Sequence, residues 1–268
     1  MRAQTLVGFD SAWTDNPRAP GAICAVRLED GTAPVFYAPR LVRFSEALAF
    51  VDEAAVDYTL IALDQPTIVP NATSMRPVER VAASVISWIG GGVQPANRGK
   101  IGMFCNDSPI WPFLAALSAI EDPIVARTAT SGRYLMEVFP ALALASLDPS
   151  FFTRMGAPKY NPAVRRRFRP DDWRQVCAAA ARSFDGWGVA DAAAWCRAAG
   201  ELPAPRKADQ DRLDAMLCLA VAMHWRIEPA ERSIMLGDTV SGYMVAPASA
   251  DVRSRLIAAA GRTGVPYA

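Results

Sequence analysis

Histidine is almost missing, since His224 is the only one in 268 residues. That shortage removes schemes in which an imidazole activates a serine or cysteine. It also leaves a Cys/His zinc site without its usual ligands. His224 sits on an apolar stretch, the setting of a core or rim histidine. An excess of charge is missing too: 28 basic and 27 acidic residues leave +1. No global field therefore recruits nucleic acid or an anionic membrane, and a polyanion would need a local patch. The five cysteines (Cys24, Cys105, Cys177, Cys196 and Cys218) contain no CxxC pair. Reduced, mostly buried thiols of a cytoplasmic protein are expected. No apolar run reaches the roughly 18 residues of a membrane span. The opening MRAQTLVGFD meets an acid at Asp10 without the apolar stretch of a signal peptide. Oligomeric state leaves no trace in the sequence.

Core material is plentiful. Hydrophobic residues make up 51% and charged residues 21%, which excludes wholesale disorder and suits one α/β domain over residues 1–268. Short apolar runs at Thr5–Phe9 and Gly21–Leu28 read as strands. Asp30-Gly31 then marks a hairpin into a third strand, Ala33–Tyr37. Phe44, Leu48, Val51 and Ala55 recur at helical spacing, with Ser45 as the expected N-cap. Thr59–Leu63 is apolar throughout, as in a strand covered on both faces. Arg133–Phe139 gives a fifth strand. Helices are expected over Arg76–Trp88, Pro109–Ala119 and Lys207–Arg226, and a small β pair and a last helix follow. Residues 150–206 read as a helical, Arg-rich insertion on the sheet.

Acids stand where stability alone would not place them. Asp10 closes the first strand, Asp64 closes the apolar fourth, and Glu137 lies inside YLMEVF. Asp211 and Asp214 are three residues apart on one face of an otherwise apolar helix. Four of the five have a plain structural alternative: Asp10 and Asp64 as turn caps, Glu137 as a satisfied strand carboxylate, Asp211 as a helix-start acid. Together they make a different case. Neighbouring strands would bring Asp10 and Asp64 to one sheet edge, where the helix adds Asp214. Carboxylates so gathered repel one another unless a cation intervenes. Hard divalent ions, Mg²⁺ or Mn²⁺, favour such oxygen ligands.

Between residues 154 and 174 seven basic side chains, Arg165, Arg166 and Arg167 among them, face two acids, with Tyr160, Phe168 and Trp173 interleaved. Contact with a phosphate backbone and a merely solvated face both fit this pattern. The loop GGGVQPANRGKIG matches neither a Walker A nor a GxGxxG pattern.

The stretches GFDSAW (8–13), ALDQP (62–66), MRPVERV (75–81), MEVFP (136–140) and DRLDAMLCLAVA (211–222) occur in an order that resembles the domain of unknown function 429 family, predicted RNase H-like nucleases. The late helix is also similar to that of RuvC-type resolvases. The resemblance implies an RNase H-like α/β fold with a central five-stranded mixed sheet flanked by helices. It also implies a divalent-metal site. The expected function is a metal-dependent nuclease or phosphodiesterase acting on nucleic acid. Asp10, Asp64 and Asp214 would bind metal, and Glu137 or Asp211 would hold a metal or orient the water. Arg76, Arg80 and Arg165–Arg167 would meet the substrate. MEVFP departs from many relatives in carrying Phe139 where they have a histidine, so no histidine assists there. Two other readings stand beside this one. A nucleotide-binding protein or phosphotransferase of the actin/sugar-kinase class needs a glycine-rich turn after its first-strand aspartate, and Ser11-Ala12-Trp13 follows Asp10 instead. A non-catalytic binding protein on the same fold is the other.

Overall fold

A computed structural model describes residues 3–268. Five strands form the central sheet: β1 (Gln4–Asp10), β2 (Gly21–Leu28), β3 (Val35–Val42), β4 (Tyr58–Asp64) and β5 (Gly132–Glu137). Their order is β3-β2-β1-β4-β5, with β2 antiparallel to both its neighbours and β1, β4 and β5 mutually parallel. This is the mixed five-stranded α/β sheet expected, consistent with an RNase H-like fold.

The sheet is covered twice because its strands are apolar on both pleats. Val7, Phe9, Ile23, Ile61 and Leu63 pack against α1 (Phe44–Ala54) and α3 (Ile110–Leu117). On the other face Leu6, Cys24, Leu60 and Ala62 meet α8 (Lys207–Ile227), with α6 (Pro170–Gly186) and α7 (Ala190–Gly200) behind it. Trp173, Phe184 and Cys196 belong to that same core, so residues 150–206 share the sheet's apolar layer. A second core joins α2 (Pro77–Ile86), α5 (Pro140–Leu147), a hairpin of β6 (Ser233–Asp238) and β7 (Gly242–Pro247), and α9 (Ala250–Thr263). A short α4 (Pro123–Thr128), N-capped by Asp122, leads into β5.

Three local expectations shift. β3 runs to Val42, past the expected Tyr37, because it is an exposed edge whose mixed residues and Pro39 hide its pattern. Its pairing with β2 is interrupted between Ile23 and Ala25. The cap of α1 is Arg43 and not Ser45: the Arg43 amide donates to Glu46 at 2.8 Å, and the Phe44 amide donates to Asp15 at 2.9 Å. The helical stretch expected around Val176–Phe184 within the insertion begins earlier, at Pro170 (α6), because a proline with Asp171 and Asp172 behind it makes a favourable first turn.

All five cysteines are free thiols. Among the described residues no helix is long and apolar enough to cross a membrane.

Candidate functional site

β1 and β4 run parallel in a register that places Asp10 directly beside Asp64. Strand alternation puts Asp10 on the pleat of Leu6 and Gly8, and Asp64 on that of Leu60 and Ala62, which is the α8 face. The helix comes close because Gly8 has no side chain. A Cβ there would collide with the backbone of Ala215 and Leu219. The close approach sets Asp214, the residue before Ala215, over the ends of both strands. Beyond the strands, the Ser11 hydroxyl donates to the Gln65 side chain, whose amide donates to the Trp13 carbonyl at 3.3 Å. The two strand ends are thus pinned to each other.

Asp10, Asp64 and Asp214 line one cavity of about 370 Å³ with Glu137, Lys207 and Gln210. Burial, then the charges of Asp214 and Asp64, holds the Asp10 carboxyl well above its usual range. Burial, then Asp214 and Glu137, does the same to Asp64. Asp214 is pushed up to about 6 by burial, against the lowering effect of Tyr160, Lys207 and Gln210. Three carboxylates in one another's field lack counter-charge, and Lys207 is the only basic side chain among the described residues lining the cavity. Lys207 also pairs with Asp211.

The donor set suits a hard cation, being oxygen throughout. Gln210 adds a second indication: it is 7% exposed, its amide nitrogen donates to Asp214 Oδ2 at 2.7 Å, and its Oε1 has no partner. A ready-made cage is a different matter. Among the described residues no three His, Cys, Asp or Glu side chains stand together as a metal-holding group. Asp214 is held by two hydrogen bonds, the second from the Tyr160 hydroxyl to Oδ1 at 2.7 Å.

The remaining expected residues are placed differently, Glu137 at the wall of the same cavity and the others outside it. Glu137 pairs in register with Leu63 and not with Asp64, so it sits on the opposite pleat. Its carboxylate is taken by Arg76, at 2.5 and 2.8 Å, and by the Thr67 amide at 3.0 Å. That corrects the expectation for Arg76. Arg76 is fully buried and bonded to Glu79, Glu137 and the Ile68 carbonyl, so it is a structural cross-brace and not a substrate contact. Glu137 anchors that brace while also lining the acid cavity. Asp211 lies beyond Asp10, lining a neighbouring cavity of about 360 Å³ with Trp13 and Arg18. Arg80 is exposed on α2, and Arg165, Arg166 and Arg167 are exposed in the loop before α6.

Sequence reasoning missed Tyr160, Lys207 and Gln210. The last two are legible in hindsight, since each stands four residues before an acid on α8. It also missed the buried relay in which the Glu137 amide donates to the Tyr243 hydroxyl at 3.0 Å and the Thr67 hydroxyl donates to Glu121.

A family model described as a protein of unknown function (DUF429) matches residues 8–235. No curated protein and no solved structure matches the chain.

Proposed function

The chain belongs to the family of proteins of unknown function DUF429, and from its own side chains we propose that it is a divalent-metal-dependent phosphodiesterase acting on nucleic acid, working in the cytoplasm with its thiols reduced. The observation that carries this is the meeting of Asp10, Asp64 and Asp214 in one cavity, where burial and mutual repulsion leave them short of positive charge. These three carboxylates would hold Mg²⁺ or Mn²⁺, with Gln210 Oε1 as a neutral oxygen beside them. Such an ion, when bound, polarises a phosphoryl oxygen and lowers the pKa of a coordinated water.

The chain's own residues do the rest. Tyr160 and Gln210 fix both oxygens of Asp214, and orientation of this kind determines how well a ligand serves its ion. The Ser11–Gln65 link keeps Asp10 and Asp64 abreast. Lys207 sits between Asp10 and Asp211 and offsets part of the acid field that a phosphate must approach. Arg76, by clamping Glu137, fixes the segment after β4 that carries Thr67.

Mn²⁺ titration by calorimetry at neutral pH, followed by cleavage assays on labelled single-stranded DNA and RNA with and without EDTA, tests the reading. Saturable Mn²⁺ binding that Asp64→Asn abolishes, with metal-dependent cleavage, is expected. A wild type that binds no Mn²⁺ overturns it. Metal binding without cleavage would leave a non-catalytic binding protein.

A further inference from the structure

The segment 158–169 serves two cavities. Tyr160 reaches Asp214, and Asn161 lines the acid cavity. The same segment carries Lys159, Arg166, Arg167 and Arg169 to an open cleft of about 640 Å³, whose other wall is the turn after α2 at Gly90 and Gly91. A smaller hollow of about 140 Å³, lined by Tyr160, Asn161 and Arg167, lies along the same segment and shares residues with both.

Among the described residues no acid lines the basic cleft. Lys159 is partly committed, its Nζ donating to the Gly90 carbonyl at 2.9 Å. That bond ties Lys159 to the turn that follows α2. Among the described residues the side chains of Arg166, Arg167 and Arg169 have no hydrogen-bond or ion-pair partner. The helices that follow behave differently, because Arg174, Arg182 and Arg197 pair with Asp171, Asp148 and Asp185. Arg154 and Arg165 are unpaired as well, but among the described residues only Arg166, Arg167 and Arg169 of the unpaired arginines line this cleft. The amides of Gly90 and Gly91 donate to Ser87 and Ile86 carbonyls, so any anion here would be held by side chains.

We infer that this cleft is a phosphate subsite, which binds a backbone phosphate of the nucleic-acid strand whose reacting phosphodiester lies at the carboxylates. Guanidinium forks match phosphate oxygens in pairs, and the strand would run from the acid cavity past Asn161 to the arginines. The identity of the strand rests on the function proposed above, whereas the anion site rests on the cleft alone.

The test is fluorescence anisotropy of a labelled single-stranded oligodeoxynucleotide with the full chain in EDTA, over a range of salt. Each phosphate contact contributes about 0.7 to the log–log salt slope on a single strand. The variant Arg166→Ala/Arg167→Ala/Arg169→Ala should lose a slope of about 2, and the corresponding triple lysine variant should keep most of it. Arg165→Ala, outside the cleft, should not weaken binding. An unchanged slope in the triple alanine variant overturns the subsite, as does an equal loss from Arg165→Ala. Displacement by inorganic phosphate as effective as by unlabelled strand would overturn the assignment to a strand. Omitting metal separates the two claims. Failure to bind Mn²⁺ would end the phosphodiesterase reading while a flattened salt slope kept the cleft.

Discussion

At the scale of single residues the site is a set of carboxylates held against their own repulsion. Asp10→Asn removes one charge from a buried trio, so the metal-free protein should gain stability on the order of 1 kcal/mol. It should lose Mn²⁺ binding in the same step. Urea unfolding of both proteins in EDTA checks the first half, and a destabilised variant would show that Asp10 is a structural acid. The acids themselves were legible in the sequence because each ends a run with no other charge: GFD, ALD and the head of an apolar helix. Their partners were not. Tyr160 reaches Asp214 across 54 positions, and no periodicity encodes such an approach. Glu137 shows the same gap from the other side. Its residue type fits the chemistry, but one step of register turns it toward Arg76, and a register is a property of two strands, not of one.

At the scale of elements the decisive contact is α8 on β1. Gly8 makes it possible, so Gly8→Ala should push the helix off the strand. Overpacking of this kind costs about 1–3 kcal/mol and sometimes more. Because the helix carries Asp214, metal affinity should fall together with the denaturation midpoint. A variant as stable as the wild type with Asp214 unmoved would show that the backbone yields easily there. Strand and helix identities could be read from periodicity, and the antiparallel hairpin was expected, whereas the parallel direction of β1 and β4 was not read from the sequence. Edges and caps were harder. β3 is exposed along much of its length, so its alternation is blurred, and the start of α1 depends on Asp15, which lies 29 positions before Phe44.

At the scale of the whole molecule the acid cluster links stability to pH and to metal. Asp214 titrates near 3.8 in an ordinary setting and at about 6 in the fold. The folded state therefore holds that proton longer. The stability it contributes is complete below about pH 4 and is lost as pH rises through about 6. Metal needs the deprotonated carboxylates, so Mn²⁺ should raise the melting temperature little at pH 5 and clearly at pH 7.5. At 100 times the Kd the gain is about 2.7 kcal/mol, or about 5–10 °C for a chain of this size. Equal shifts at both pH values would dissociate the cluster from metal binding. The edge strand β3 has a consequence on the same scale. A free strand edge is a template on which another chain can continue the sheet, the first step of fibrillar assembly. β3 carries Pro39, which has no amide hydrogen to offer, beside a break in its pairing with β2. A growing β-ladder would find one rung missing and its template bent, which makes that border a poor start for polymerisation.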